Sequence, residues 1–257
     1  MIATARVVHA ADVPPDVDRD DVVRVQPTLG TRTDFGTAFE QEVLECGPGR
    51  SLPRGGGGPE EVLFVLSGRG TLHAGGAARE LEPETGVYLA PGERYELENP
   101  GAEPLRIVAV RIPDPDPVAA DEAEVQTVVR RLADQQAEAA TTEREFRIVA
   151  DPASGLRSAT HFVGYIPTKR APEHFHTYDE VIYVLDGEGV LHAGEDEHRV
   201  HAGSCIQLPA RAVHCLENTG KDVMRVVAVF RPAGSPAAAY YPDGTPAYAG
   251  TPPVKAP

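Results

Sequence analysis

The chain carries one pattern twice. Glu61 to Gly75 reads EVLFVLSGRGTLHAG, and Glu180 to Gly194 reads EVIYVLDGEGVLHAG. The spacing of 119 residues between Glu61 and Glu180 returns between Asn99 and Asn218, with small length changes in between. Self-similarity over such a distance means two copies of one structural unit, and 257 residues are enough for each copy to bury its own core. The repeated stretch is rich in Val and Leu. Similar short runs lie between Gly, Pro and Asp throughout, and Gly and Pro number 25 and 24. Stretches such as Met224-Arg-Val-Val-Ala-Val-Phe230 alternate in part. The expectation is an all-β chain with tight turns.

The second copy is preceded by His174-Phe-His176-Thr-Tyr-Asp-Glu180. In an extended chain, residues of one parity share a face. Positions 174, 176 and 180 can therefore project together, and His214 can join them from a distant strand. Three imidazoles and one carboxylate suit a transition metal, and without cysteine the set is not that of a structural zinc knot. Exposed histidines would give a His-x-His pair as readily. The longer pattern is more specific: His-x-His-x3-Glu-x6-Gly ends at Gly187, and Gly-x5-Pro-x4-His-x3-Asn runs over Gly203, Pro209, His214 and Asn218.

These two motifs, in this order, resemble those of the cupin superfamily. Arg211 stands where its members often have a glycine, and Thr168 stands where another is common. The resemblance implies two jelly-roll barrels (double-stranded β-helices) in tandem, over residues 1–116 and 117–257. It also implies one divalent transition metal per chain on His174, His176, Glu180 and His214. Iron or manganese comes first, and nickel, zinc or copper are compatible. A homodimer is expected by the same resemblance.

In the first copy, counting back from Glu61 puts Gly55 and Gly57 in the positions of the two paired histidines. The third histidine position is Tyr95 counted from Asn99, or Glu96 counted from Pro91. This copy is expected to bind no metal, and its glycine run to form a flexible loop. His73 and His192 occupy equivalent places, so a histidine shared with the metal-free copy reads as structural. The layout of the whole chain also resembles ureidoglycine aminohydrolase, a bicupin with a metal-free first half. The four ligand positions of that family carry Glu, His, His and Gln, so the spacing agrees and the chemistry differs.

Composition narrows the partners. The formal net charge of −15 argues against nucleic acid and anionic membranes. Nothing has the length of a bilayer span or the layout of a signal peptide, so a cytoplasmic location is expected. Cys46, Cys205 and Cys215 make no disulfide framework and read as small core residues. Around Val125, Val128, Val129 and Leu132 the pattern fits a helical face or a strand feeding a barrel. The tail after Pro232 could cross the barrel on its tyrosines or be partly disordered.

The expected activity is that of a metalloenzyme on a small polar metabolite, with non-haem oxygenase chemistry leading. An oxygen-independent hydrolase, lyase or isomerase and a non-catalytic metal-assisted binding protein remain alternatives. Glu173, Tyr178, Tyr183, His161, Tyr165 and Gln207 are neighbours without an assigned role.

Overall fold

The structure is a computed structural model that describes residues 5–30, 39–112, 127–140, 143–249 and 251–253. Its contacts divide the chain into two units.

The first unit has a seven-stranded sheet in the order Val128–Arg131, Thr85–Leu89, Glu60–Ser67, Leu105–Ile112, Glu40–Cys46, Val23–Leu29, Asp16–Val17. A second sheet runs Gly49–Arg50, Arg94–Asn99, Gly70–Ala74, Ala77–Leu81, with Arg54–Gly55 also paired to Arg94–Asn99. Both sheets feed one core, in which Leu44, Leu63 and Ile107 from the first meet Leu72, Leu81 and Leu97 from the second. This is the two-sheet jelly-roll arrangement.

The second unit repeats the plan. One sheet runs Arg6–His9, Ser204–Leu208, Asp179–Asp186, Met224–Arg231, Thr160–Ile166, Glu145–Ala150, Glu138–Ala139. The other runs Asp196–His201, Glu188–Ala193, His214–Asn218. Phe162, Ile182, Leu191, Ile206, Leu216, Val226 and Phe230 form its core. No helix among the described residues is long and apolar enough to cross a membrane.

The expected boundary at 116/117 falls outside the described residues, and the units do not divide the chain at a single point. The first strand, Arg6–His9, pairs with Ser204–Leu208 and so belongs to the second unit. Val128–Arg131 pairs with Thr85–Leu89 and belongs to the first. Residues 149–159 also group with the first unit, although Val149 and Ala150 end a strand of the second unit's sheet; there buried Glu60 accepts from the amides of Arg157 (2.8 Å) and Ser158 (3.0 Å). Unpaired strand edges bind whatever strand can reach them, so pairing rather than sequence order sets membership. Val128–Arg131 takes the strand alternative, followed by a short 3-10 turn at Leu132–Asp134. Val125 lies outside the described residues.

Two motif residues are explained by the turns they make. Asn218 donates to Ile166 O (2.9 Å) and Asp222 O (2.8 Å), and its oxygen accepts from the Gly220 amide (2.9 Å). Asn99 repeats all three bonds with Cys46 O, Glu103 O and the Gly101 amide, each at 2.9 Å. Gly187 has φ +90°, and a Cβ there would lie 3.0 Å from the Met224 Cα. Only glycine fits that left-handed, close-packed position.

Candidate metal centre

Two extended pieces of backbone bring the histidines together. His174 and His214 form an isolated bridge, with amide-to-carbonyl distances of 3.0 and 2.8 Å. The segment 174–176 is thus held by bridges rather than by a regular strand, and the strand Asp179–Asp186 begins only after a bend. His214 opens the strand His214–Asn218. The potential ligand nitrogens of His174, His176 and His214 lie within 4.8 Å of one another. Glu180 lines the same cavity, but its carboxylate is not part of that group of three.

The hydrogen bonds set the chemistry of these rings. Nδ1 of His174 faces Pro172 O at 3.0 Å, that of His176 faces Ala238 O at 3.0 Å, and that of His214 faces Ala212 O at 2.9 Å. A carbonyl can only accept, so each Nδ1 carries the proton and each neutral ring keeps its lone pair on Nε2. Burial holds all three rings neutral. It lowers the pKa of His174 to about 4 and that of His176 to about 3, and that of His214 falls well below the ordinary histidine value. Neutral imidazoles oriented through Nδ1 by a main-chain oxygen are what a metal ion requires of histidine ligands. The donor set therefore fits a divalent transition metal. Burial also drives the Glu180 carboxyl up to about 8, with Arg144 pulling the other way.

The cavity is small, ≈ 80 Å³. Phe162, Ile182, Leu216, Val226 and Phe230 form its apolar wall, and all five also belong to the core. Pro236 and Ala239 of the tail complete it. The tail crosses the barrel: Tyr240 exchanges two backbone bonds with Phe175 (2.9 and 3.0 Å), and the two rings stack at 5.5 Å.

Sequence reasoning did not find Arg144 or the tail carbonyl of Ala238. Arg144 lines the cavity, donates to Leu216 O, and acts electrostatically on Glu180 and the three imidazoles. No spacing ties either residue to the motifs. Among the neighbours noted from the sequence, Tyr165 lines the cavity and Tyr178 stacks on His176 at 6.0 Å. Glu173 is half exposed and faces Arg170 at 4.0 Å. Arg211, at the frequent glycine position, has φ +67°, and its amide donates to His176 O at 2.7 Å. The arginine thus adopts the left-handed backbone that glycine takes more easily.

The first unit shows what replaced the ligands. Tyr95 is buried in the third histidine position, and its hydroxyl donates to Glu61 at 2.8 Å. Glu96 instead pairs with Arg50 at 2.5 Å. The glycine run is not the loose loop expected. Arg54–Gly55 is paired, the Gly56 amide donates to Glu93 O and the Gly92 amide to Gly57 O, both at 2.7 Å. His73 and His192 each donate through Nε2 to a glutamate on the adjacent strand, Glu98 and Glu217, both at 2.7 Å. All three cysteines are buried and free.

Comparison with known proteins agrees with this architecture. The fold is similar to that of protein Ylba from E. coli, of the family-model DUF861, with a TM-score of 0.75 and 14% identity, covering 90% of this chain and 92% of that one. A putative glyoxylate induced protein from Pseudomonas aeruginosa gives 0.75 and 20%, covering 89% and 90%. A mutant of Bacillus subtilis oxalate decarboxylase gives 0.68 and 11%, covering 89% and 78%. At these identities the likeness is one of fold. No curated protein sequence matches. The cupin domain family matches residues 44–111 and 161–230, one stretch in each unit and together more than half of the length. With both matches lying on the repeated strands just described, the chain belongs to the cupin family, as a protein of two tandem cupin domains.

Proposed function

We propose that the protein is a metal-dependent enzyme acting on a small polar metabolite, with His174, His176, Glu180 and His214 holding one divalent transition metal, iron or manganese first. The observation that carries this reading is the trio of buried, neutral imidazoles, each with Nδ1 tied to a carbonyl and Nε2 left for ligation. A metal with open positions supplies Lewis acidity and a template for the substrate. The protein's own part is to hold that donor set, to exclude water with the apolar wall and to limit substrate size. Non-haem oxygenase chemistry is our preferred class. Three imidazoles with a carboxylate extend the two-His-one-carboxylate set of non-haem iron oxygenases by one ligand.

A second reading, an oxygen-independent lyase or hydrolase, is supported by the likeness in fold to oxalate decarboxylase across most of the chain. Two measurements separate these readings. Metal content by mass spectrometry should give about one ion per chain, lost in His176→Ala. Turnover of small metabolites should then consume dissolved oxygen. Turnover that persists without oxygen moves the assignment to the second reading. Protein that takes up no metal after reconstitution overturns both.

A further inference from the structure

The cavity contains a positive charge that the metal set does not use. Arg144 follows the short strand Glu138–Ala139 and immediately precedes Glu145–Ala150. It is partly buried, and its guanidinium is tied to Leu216 O, two residues beyond His214. That anchor holds it beside the cavity, where its charge reaches Glu180 and all three imidazoles.

Charge decides what such a cavity accepts. The other charged side chains lining it are Glu180 and Glu145. Glu145 is exposed, so water and salt screen it. Arg144 and a divalent ion together bring three positive charges, against at most two negative ones from the lining carboxylates Glu180 and Glu145. Apart from the imidazoles and Tyr165, the remaining wall is apolar. A positive centre facing apolar walls is costly until an anion joins it. Arginine also presents paired N–H donors that match the two oxygens of a carboxylate.

We propose that Arg144 is the anion anchor of this pocket, and that the substrate is a small carboxylate, its remaining atoms lying against Phe162, Ile182, Leu216, Val226 and Phe230. The proposal deepens the metalloenzyme reading and takes from it the two charges that the ion contributes. The anchoring role of Arg144 rests on the cavity itself.

The test is calorimetric binding of propionate and butyrate, each beside its own amide, to the full-length protein with its metal content measured on the same sample. Wild type should bind each carboxylate more tightly than the amide. Arg144→Gln should weaken carboxylate binding about 10- to 100-fold and leave amide binding unchanged. Arg144→Lys should recover part of the loss, which separates lost charge from misfolding. Equal metal content and equal melting temperature in the three proteins make the comparison valid. Carboxylates that bind no better than amides, or that bind Arg144→Gln within about three-fold of wild type, overturn the anchor whatever the metal content. Protein that takes up no metal after reconstitution yet still shows the Arg144-dependent preference supports the anchor and overturns the metal centre.

Discussion

At the scale of the residue, the two copies separate chemistry from construction. Gly68 and Gly187, Asn99 and Asn218, and His73 and His192 persist in both because each makes the same turn or bond in both units. The candidate ligand histidines have no such second duty, and the first unit lacks them. Asn218→Ala should therefore destabilise the second unit by about 2–4 kcal/mol, since carbonyls of Ile166 and Asp222 lose their donor. Denaturant unfolding measures the loss, and metal content under native conditions should stay at the wild-type value. The titrating residues make a separate prediction for metal-free protein. Burial lowers His161 to about 3, and lowers His174, His176 and His214 likewise. Their folded values lie below the unfolded 6.5, so their contribution is complete above that pH and is lost as pH falls. Glu180 is shifted the opposite way, from 4.5 up to about 8, so its contribution is lost as pH rises through 8. Thermal melts of stripped protein should thus show a stability maximum near pH 6.5. Glu180→Gln should remove the decline on the alkaline side.

At the scale of the element, the tail is the part whose role is least apparent from composition. Its run of Ala, Pro, Gly and Tyr has little regular pairing beyond the Phe175 and Pro246 bridges of Tyr240. It is held by particular contacts: Tyr240 on Phe175, the Tyr240 hydroxyl on Pro252 O at 2.8 Å, and Ala238 O on His176. That last bond orients a candidate ligand from outside the barrel. Removing the chain after Arg231 should weaken metal affinity about 10- to 100-fold, read by competition with a chelator. Unchanged affinity would show that the barrel alone orients His176. The linker strand Val128–Arg131 teaches the same lesson: its valines fit either a helical or an extended pattern, and pairing to Thr85–Leu89 selects the strand.

At the scale of the whole molecule, one unit holds the candidate centre, and the other has a tyrosine in the equivalent place. Tyr95 fills the third histidine position and bonds Glu61, while a Cβ on Gly55 would lie 2.7 Å from Glu93 O at φ +72°. Tyr95→His should therefore leave metal stoichiometry at about one ion per chain, measured by mass spectrometry. A second ion would show that the first unit had lost only one ligand. The repeat, the β class and the ligand candidates were legible in the sequence, because each depends on spacing along a short stretch of chain. His174 and His176 are two residues apart, and an extended backbone alone can bring them close. The strand memberships were not legible, because Arg6–His9 reaches its partner Ser204–Leu208 only across nearly the whole chain. Nor was the environment of the site. Arg144, Ala238 O and the five apolar wall residues come from separate segments and share no spacing. The sequence by itself determined which side chains could ligate and how often the barrel occurs. Tertiary structure alone decided their protonation, their tautomers and the charge facing them, since burial and long-range contacts set those properties.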